Sequence, residues 1–197
     1  VFQPDPATTH RVAKLGGSLL RWDGWQNALR IWLDAHPIGC AILITGGGAE
    51  ADEVRARQHE AGFGDEEAHW LAVDAMTRNA NLVSERLAIP LFRSWEDCAA
   101  VRLSVLDVQP YLRRADGLPA DWTFTSDSIA AWLATEWQRH LAQSVQLVML
   151  KSRDPKEPRD LASWAANAYV DAMFPRFAHC ASVTWANLRH PNIPAEE

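Results

Sequence analysis

The chain has 197 residues, 48% apolar and 22% charged, with 19 Lys and Arg against 25 Asp and Glu and a formal charge of −6. These proportions exclude a disordered chain, and at this size a single domain buries roughly 70% of its unfolded surface without a disulfide or metal staple. The acidic balance argues against non-specific nucleic-acid binding, although a small anionic substrate needs only local positive charge, and no apolar run is long enough to predict a membrane span.

Arg11-Val12-Ala13-Lys14-Leu15 predicts a first strand, stopped by Gly16-Gly17. Residues 22–35 read as a helix, because Trp25, Leu29 and Trp32-Leu33 recur at three- and four-residue spacing; Pro37 and Gly39 end it. Cys40-Ala41-Ile42-Leu43-Ile44 is the continuous apolar run of a parallel strand covered on both faces, broken by Gly46-Gly47-Gly48. Residues 49–60 are helical and close at Gly62 and Gly64. Asp65 is placed to N-cap a long helix reaching Leu87, with Ala68, Leu71-Ala72, Ala75-Met76 and Leu82-Val83 on its apolar face. Pro90-Leu91-Phe92 is a short strand, 95–101 a small helix, Leu103–Leu106 another strand and 108–122 a loop. Ser126 or Asp127 caps a helix to Leu141, along which Ile129, Leu133, Trp137 and Leu141 recur every fourth residue. Val145 to Leu150 is a strongly apolar strand ending at Lys151; 152–159 is loop, followed by a helical stretch and a last strand near Ser182–Ala186. Residues 1–9 and 191–197 read as frayed ends of one domain spanning 1–197. This alternation predicts an α/β fold, an open three-layer α/β/α sandwich with a mostly parallel sheet.

In such sheets ligands bind beyond the carboxyl ends of the strands. The first strand leaves through Lys14-Leu15-Gly16-Gly17-Ser18, the second through Thr45-Gly46-Gly47-Gly48 and the late one through Lys151-Ser152, while a helix starts at Thr125-Ser126-Asp127-Ser128. Two glycine clusters, two lysines and one aspartate therefore fall on one edge. Glycine turns let backbone N–H groups approach phosphate oxygens, and a following helix N-terminus adds partial positive charge. Lysines supply the full charges a migrating phosphoryl group needs, so the set suits phosphoryl transfer. Each part has a plainer reading: a turn for Gly-Gly-Ser, a helix cap for Asp127, solvated strand ends for the lysines. Their joint placement favours the site. No Gly-Lys dipeptide, GxGxxG, His-Arg-Asp or Asp-Phe-Gly occurs, which removes the P-loop, dinucleotide and protein-kinase plans.

Cys40, Cys98 and Cys180 form no CxxC, and His59, His69, His140 and His179 form no HExxH, so neither a metal site nor a disulfide framework is predicted. The start lacks a basic segment followed by an apolar one, so no secretory signal is predicted and a reducing cytoplasm is the expected location. Ten tryptophans supply apolar surface for a core, a subunit interface or an aromatic pocket. Those near 22–32, with the long 65–87 helix, suggest a homo-oligomer. No nucleic-acid or membrane partner is expected.

The stretches VAKLGGSLL (12–20), ILITGGGAEADEVR (42–55), TFTSDSIAAWLA (123–134) and LVMLKS (147–152) resemble the amino acid kinase superfamily, which includes acetylglutamate, carbamate, aspartate and uridylate kinases. They fall in the family's order, and Lys-x-Gly-Gly-Ser is the specific element. The resemblance implies an amino acid kinase-like sandwich, use of ATP and Mg²⁺, and a small-molecule phosphate acceptor. It implies that Lys14 contacts the transferred phosphoryl group, that Gly16, Gly17 and Ser18 hold nucleotide phosphates, and that Gly46, Gly47 and Gly48 face the acceptor. Asp127 would organise the lysines, and Lys151 with Ser152 would serve the nucleotide side. The segment 46–76 and the short chain look closest to a compact subgroup that includes the kinase acting on aminomethylfuranmethyl phosphate in methanofuran biosynthesis, where a phosphate monoester becomes a diphosphate. One departure stands out. The family's Thr-Asp-x-x-Gly-Val nucleotide loop is replaced by Ser152-Arg153-Asp154-Pro155-Lys156-Glu157-Pro158. A non-catalytic nucleotide or oxyanion binder on the same fold is the alternative. Asp171, in Tyr169-Val170-Asp171, is not counted among the site residues.

Overall fold

The computed structural model describes residues 10–37, 39–141, 143–157, 159–178 and 182–190. The ends expected to fray lie outside them. Six strands, β1 (His10–Leu15), β2 (Cys40–Thr45), β3 (Leu91–Phe92), β4 (Leu103–Leu106), β5 (Val145–Lys151) and β6 (Ser182–Asn187), form one sheet. Their spatial order is β3-β4-β2-β1-β5-β6, and every neighbouring pair is parallel. The apolar runs become central strands because both their faces are covered: every residue of β1 and β2 is buried.

Alternate side chains go to opposite layers. Val12, Ile42, Ile44, Leu147 and Met149 join Ile129, Leu133 and Trp137 of α6 (Ser126–Leu141) in one core. Ala13, Leu15, Leu43, Val148 and Leu150 join Trp25, Leu29 and Trp32 of α1 (Trp25–Ala35) in the other. Leu15, Ile42, Leu43, Ile44 and Leu147 are each at most 2% exposed, and burying one such side chain contributes about 1.5–3 kcal/mol. The α2 helix (Gly48–Ala61) and the 23-residue α3 (Asp65–Leu87) follow β2. Short helices α4 (Trp95–Ala99) and α5 (Gln109–Leu112) flank β4, and α7 (Leu161–Ala166) and α8 (Phe174–Ala178) precede β6.

Local expectations are corrected in three places. The helix expected over 22–35 starts at Trp25, after a 3₁₀ turn at Gly17–Arg21, with Gly24 under the Trp22 ring where no Cβ fits. Asp65 does not cap α3: Gly64 holds that position, and the Asp65 carboxylate accepts from Gln58 instead. The expected loop 108–122 contains α5. Among the described residues no helix is long and apolar enough to cross a membrane.

Candidate functional site

The sheet brings the ends of β1, β2 and β5 together. Lys14 is in register with Ile44 on one side and Met149 on the other, so the two lysines and both glycine turns leave adjacent strands at the same edge. The chain passes to one side after β1 and to the other after β4, which makes this edge a switch point where a crevice opens.

Lys14 points to the same layer as Val12 and meets the first turn of α6. Its Nζ lies 2.7 Å from Asp127 Oδ1, and Lys151 Nζ lies 2.8 Å from Oδ1 and 2.9 Å from Oδ2. Lys151 also donates to the Tyr169 carbonyl at 2.9 Å. All three side chains are nearly withdrawn from water, at 4%, 10% and 13% exposure for Lys14, Asp127 and Lys151. Burial pushes the Asp127 carboxyl up, but the charges and hydrogen bonds of Lys14 and Lys151 outweigh it and hold the carboxyl down at about 2. Burial pushes the Lys151 ammonium down to about 8, with Asp127 opposing the shift and Lys14 adding to it. Asp127 is therefore not the helix cap that the sequence also allowed; its carboxylate is committed to the lysines.

The capping falls to Asp171, from 46 residues away. Its Oδ2 accepts from the Thr125 amide at 3.0 Å, the Thr125 hydroxyl at 2.8 Å and the Ser128 amide at 3.0 Å, and its Oδ1 accepts from the Ser128 hydroxyl. Burial, then the charge of Asp127, push the Asp171 carboxyl up. Four donors from one helix start fix the backbone that carries Asp127. Its sequence signal, an acid in Tyr-Val-Asp beside no glycine turn, is weak because the partners are remote in the chain.

The glycine turns pack on each other. A Cβ on Gly17 would lie 2.2 Å from the Gly48 nitrogen, and Gly48 itself takes φ +60. Gly16 donates its N–H to Leu150 and Gly46 donates to Leu15, so these two amides are committed within the protein. Asn79 of α3 donates to the carbonyls of Gly46 and Gly47 at 2.7 and 3.0 Å and holds that turn. Ser18 and Ser152 meet at 3.2 Å between their hydroxyls.

Two cavities adjoin here. The smaller, about 210 Å³, is lined by Gly17, Ser18, Gly46, Gly47 and Gly48, by Asp52 and Arg55 of α2, and by His69, Trp122 and Phe124. The larger, about 470 Å³, holds Asp127, Lys151, Ser152, Arg153, Tyr169, Asp171 and Trp185. Ser18, Arg55, Trp122 and Thr125 line both. Gly16 and Lys14 line neither. The Arg55 guanidinium stands 4.3 Å over the Trp122 ring, whose indole donates to Gln58 at 2.5 Å. An apolar cavity of about 390 Å³ beneath α6, walled by Trp95, Trp132 and Trp137, holds none of the expected site residues. Arg55, His69, Trp122, Tyr169 and Trp185 were not foreseen; single arginines and aromatics lack a motif, although the tryptophan count admitted an aromatic pocket. Among the described residues no group of three or more His, Cys, Asp or Glu could hold a metal ion.

No protein-family model and no curated protein matches the sequence. Solved structures do. A uridylate kinase from Archaeoglobus fulgidus superposes with a TM-score of 0.63 at 17% identity, covering 92% of this chain and 93% of that one. A UMP kinase from Bacillus anthracis gives 0.58 at 11% identity, covering 94% and 90%. At these identities the likeness is one of fold: this chain has the α/β architecture of these two kinases.

Proposed function

We propose that this chain is an ATP-dependent small-molecule kinase that phosphorylates a phosphate monoester or a carboxylate. The observation that carries this reading is the pair of ammonium groups, Lys14 and Lys151, held on one carboxylate, with Lys151 and Asp127 lining the larger cavity and Lys14 directly behind Asp127. Phosphoryl transfer requires positioning and charge stabilisation more than covalent help from the protein. The acceptor oxygen attacks the γ-phosphorus in line, the bond to the bridging oxygen breaks, and ADP leaves with the electron pair. Lys14 would meet the oxygens of the group in flight, and Lys151 the charge growing on the leaving phosphate. Asp127 keeps both ammonium groups in place and, with its carboxyl held at about 2, takes no proton. Gly17, Gly47 and Gly48, with the positive end of α2, would face the acceptor anion.

The residues fit a nucleotide better than they fit a metal cage. Both Asp127 oxygens face ammonium groups and Asp171 accepts four hydrogen bonds. The Mg²⁺ that accompanies ATP would therefore be held by phosphate oxygens; it supplies charge neutralisation there.

The smaller cavity supports a compact acceptor. Aromatic walls suit a flat ring, the glycine turns a phosphate, and Asp52 a cationic substituent. These features, with the sequence resemblance, favour (5-(aminomethyl)furan-3-yl)methyl phosphate, a precursor in methanofuran-type one-carbon cofactor biosynthesis. The test is turnover of this compound and of UMP with Mg²⁺–ATP by wild-type and Lys14→Ala protein. We expect diphosphate formation that falls about 100- to 1000-fold in the variant. Equal turnover in Lys14→Ala, or ATP binding without transfer to any acceptor, would reject the kinase in favour of a nucleotide-binding protein.

A further inference from the structure

The larger cavity has two unlike ends. One is charged, with Lys151, Asp127 and the Ser18–Ser152 pair. The other is aromatic. Tyr169 and Trp185 meet edge to face there, with centroids 6.1 Å apart at 86°. The Arg153 guanidinium stands 4.6 Å over the Tyr169 ring and donates to the Ala168 carbonyl at 3.1 Å. Trp185 is braced from behind by Trp164, at a centroid distance of 4.8 Å, and its indole N–H donates to the Arg153 carbonyl at 3.0 Å. Lys151 Nζ is 5.6 Å from the Trp185 centroid, so the rings stand directly beside the charged cluster.

This end is built with some strain. Ala168 takes φ +53, in the left-handed region that favours glycine. The turn it makes at the end of α7 lets the Tyr169 amide close on Trp164 while the Tyr169 carbonyl accepts Lys151. Arg153 is exposed, and among the described residues no carboxylate pairs with it. A planar cation laid on an aromatic ring at the mouth of a cavity offers a flat, stackable surface.

We infer that Arg153, Tyr169 and Trp185 form a nucleobase platform, which takes the purine of a nucleoside triphosphate whose phosphates reach Lys151 and Ser18. The inference rests on the kinase reading for the phosphates, and it assigns the base to side chains in a segment where the family's backbone loop is missing. Stacking adds to base binding, and it grows with ring overlap, which favours a bicyclic purine over a pyrimidine.

Calorimetric titration of the full chain with Mg²⁺ and ATP, CTP or inorganic tripolyphosphate tests this. ATP is expected to bind at least about tenfold more tightly than tripolyphosphate, and more tightly than CTP. Tyr169→Leu and Trp185→Leu should each erase most of that advantage and leave tripolyphosphate affinity unchanged, and Arg153→Ala should weaken ATP binding more than tripolyphosphate binding. The Arg153 variant alters only an exposed side chain, so the test survives if the Trp185 variant fails to fold. Tripolyphosphate binding as tightly as ATP, CTP matching ATP, or full ATP affinity in the Arg153 and Tyr169 variants would overturn the platform, even with kinase turnover intact. Conversely, a platform-dependent preference for ATP without turnover would uphold it and sink the kinase reading.

Discussion

Asp127 carries one negative charge against two ammonium groups, and nearly all water is excluded from the three. Removing its charge leaves Lys14 and Lys151 facing each other, and breaking a buried pair in this way costs about 3–5 kcal/mol. Asp127→Asn should lose stability on that scale in urea denaturation at neutral pH; a loss below about 1 kcal/mol would mean that the lysines find water. The pH dependence follows from the same charges. The folded carboxyl sits at about 2, below its ordinary 3.8. Its stabilisation is therefore present above about pH 4 and is lost as pH falls toward 2. Lys151 has the opposite sense. Its folded ammonium sits at about 8, below 10.5, so burying it charged is a cost that is full below pH 8 and relieved as pH rises from there toward 10.5. A phosphate ligand needs the charged form. ATP affinity should thus decline as pH rises through about 8, and Lys151→Arg should flatten that decline because arginine stays protonated. Constant wild-type affinity between about pH 7 and about pH 9 would remove Lys151 from the phosphate contacts.

Elements are joined at this site by contacts that leave no room for side chains. The turn after β1 and the start of α2 touch backbone to backbone through Gly17 and Gly48. The glycine pattern therefore reports packing as well as phosphate access. Gly17→Ala forces these elements apart and should destabilise by about 1–3 kcal/mol, read as a lowered thermal midpoint. Gly64→Ala, with nothing within 4 Å of the added methyl, should stay within about 0.5 kcal/mol of wild type. Equal behaviour of the two variants would show that the Gly17 contact yields without cost. The N-terminus of α6 illustrates the same dependence on distant chain. The sequence placed Ser126 or Asp127 as its cap, since both are common there, but Asp171 does the capping and releases Asp127 for the lysines.

The fold sets a positive cleft into a chain of net charge −6. Three cations, Arg55, Lys151 and Arg153, line the larger cavity against Asp127 and Asp171, with Lys14 behind Asp127. An anionic nucleotide bound there would stabilise the native state by mass action, by about 2.7 kcal/mol at one hundred times its dissociation constant. For a chain of this size the midpoint of thermal unfolding should rise by about 5–10 °C with saturating Mg²⁺–ATP. An unchanged midpoint would exclude nucleotide binding to the folded protein.

The order of strands and helices was legible because apolar runs, helical spacing and glycine breaks are local signals. Lys14, Gly46–Gly48 and Lys151 were legible for the same reason: each sits where a strand ends, and in a parallel sheet strand ends share an edge. The meeting of both lysines on Asp127 was expected from that shared edge and from the family resemblance. The role of Asp171 and the aromatic lining by Trp122, Tyr169 and Trp185 were not. They join segments dozens of residues apart through side-chain geometry that has no period in the chain, so the packed sheet alone sets them.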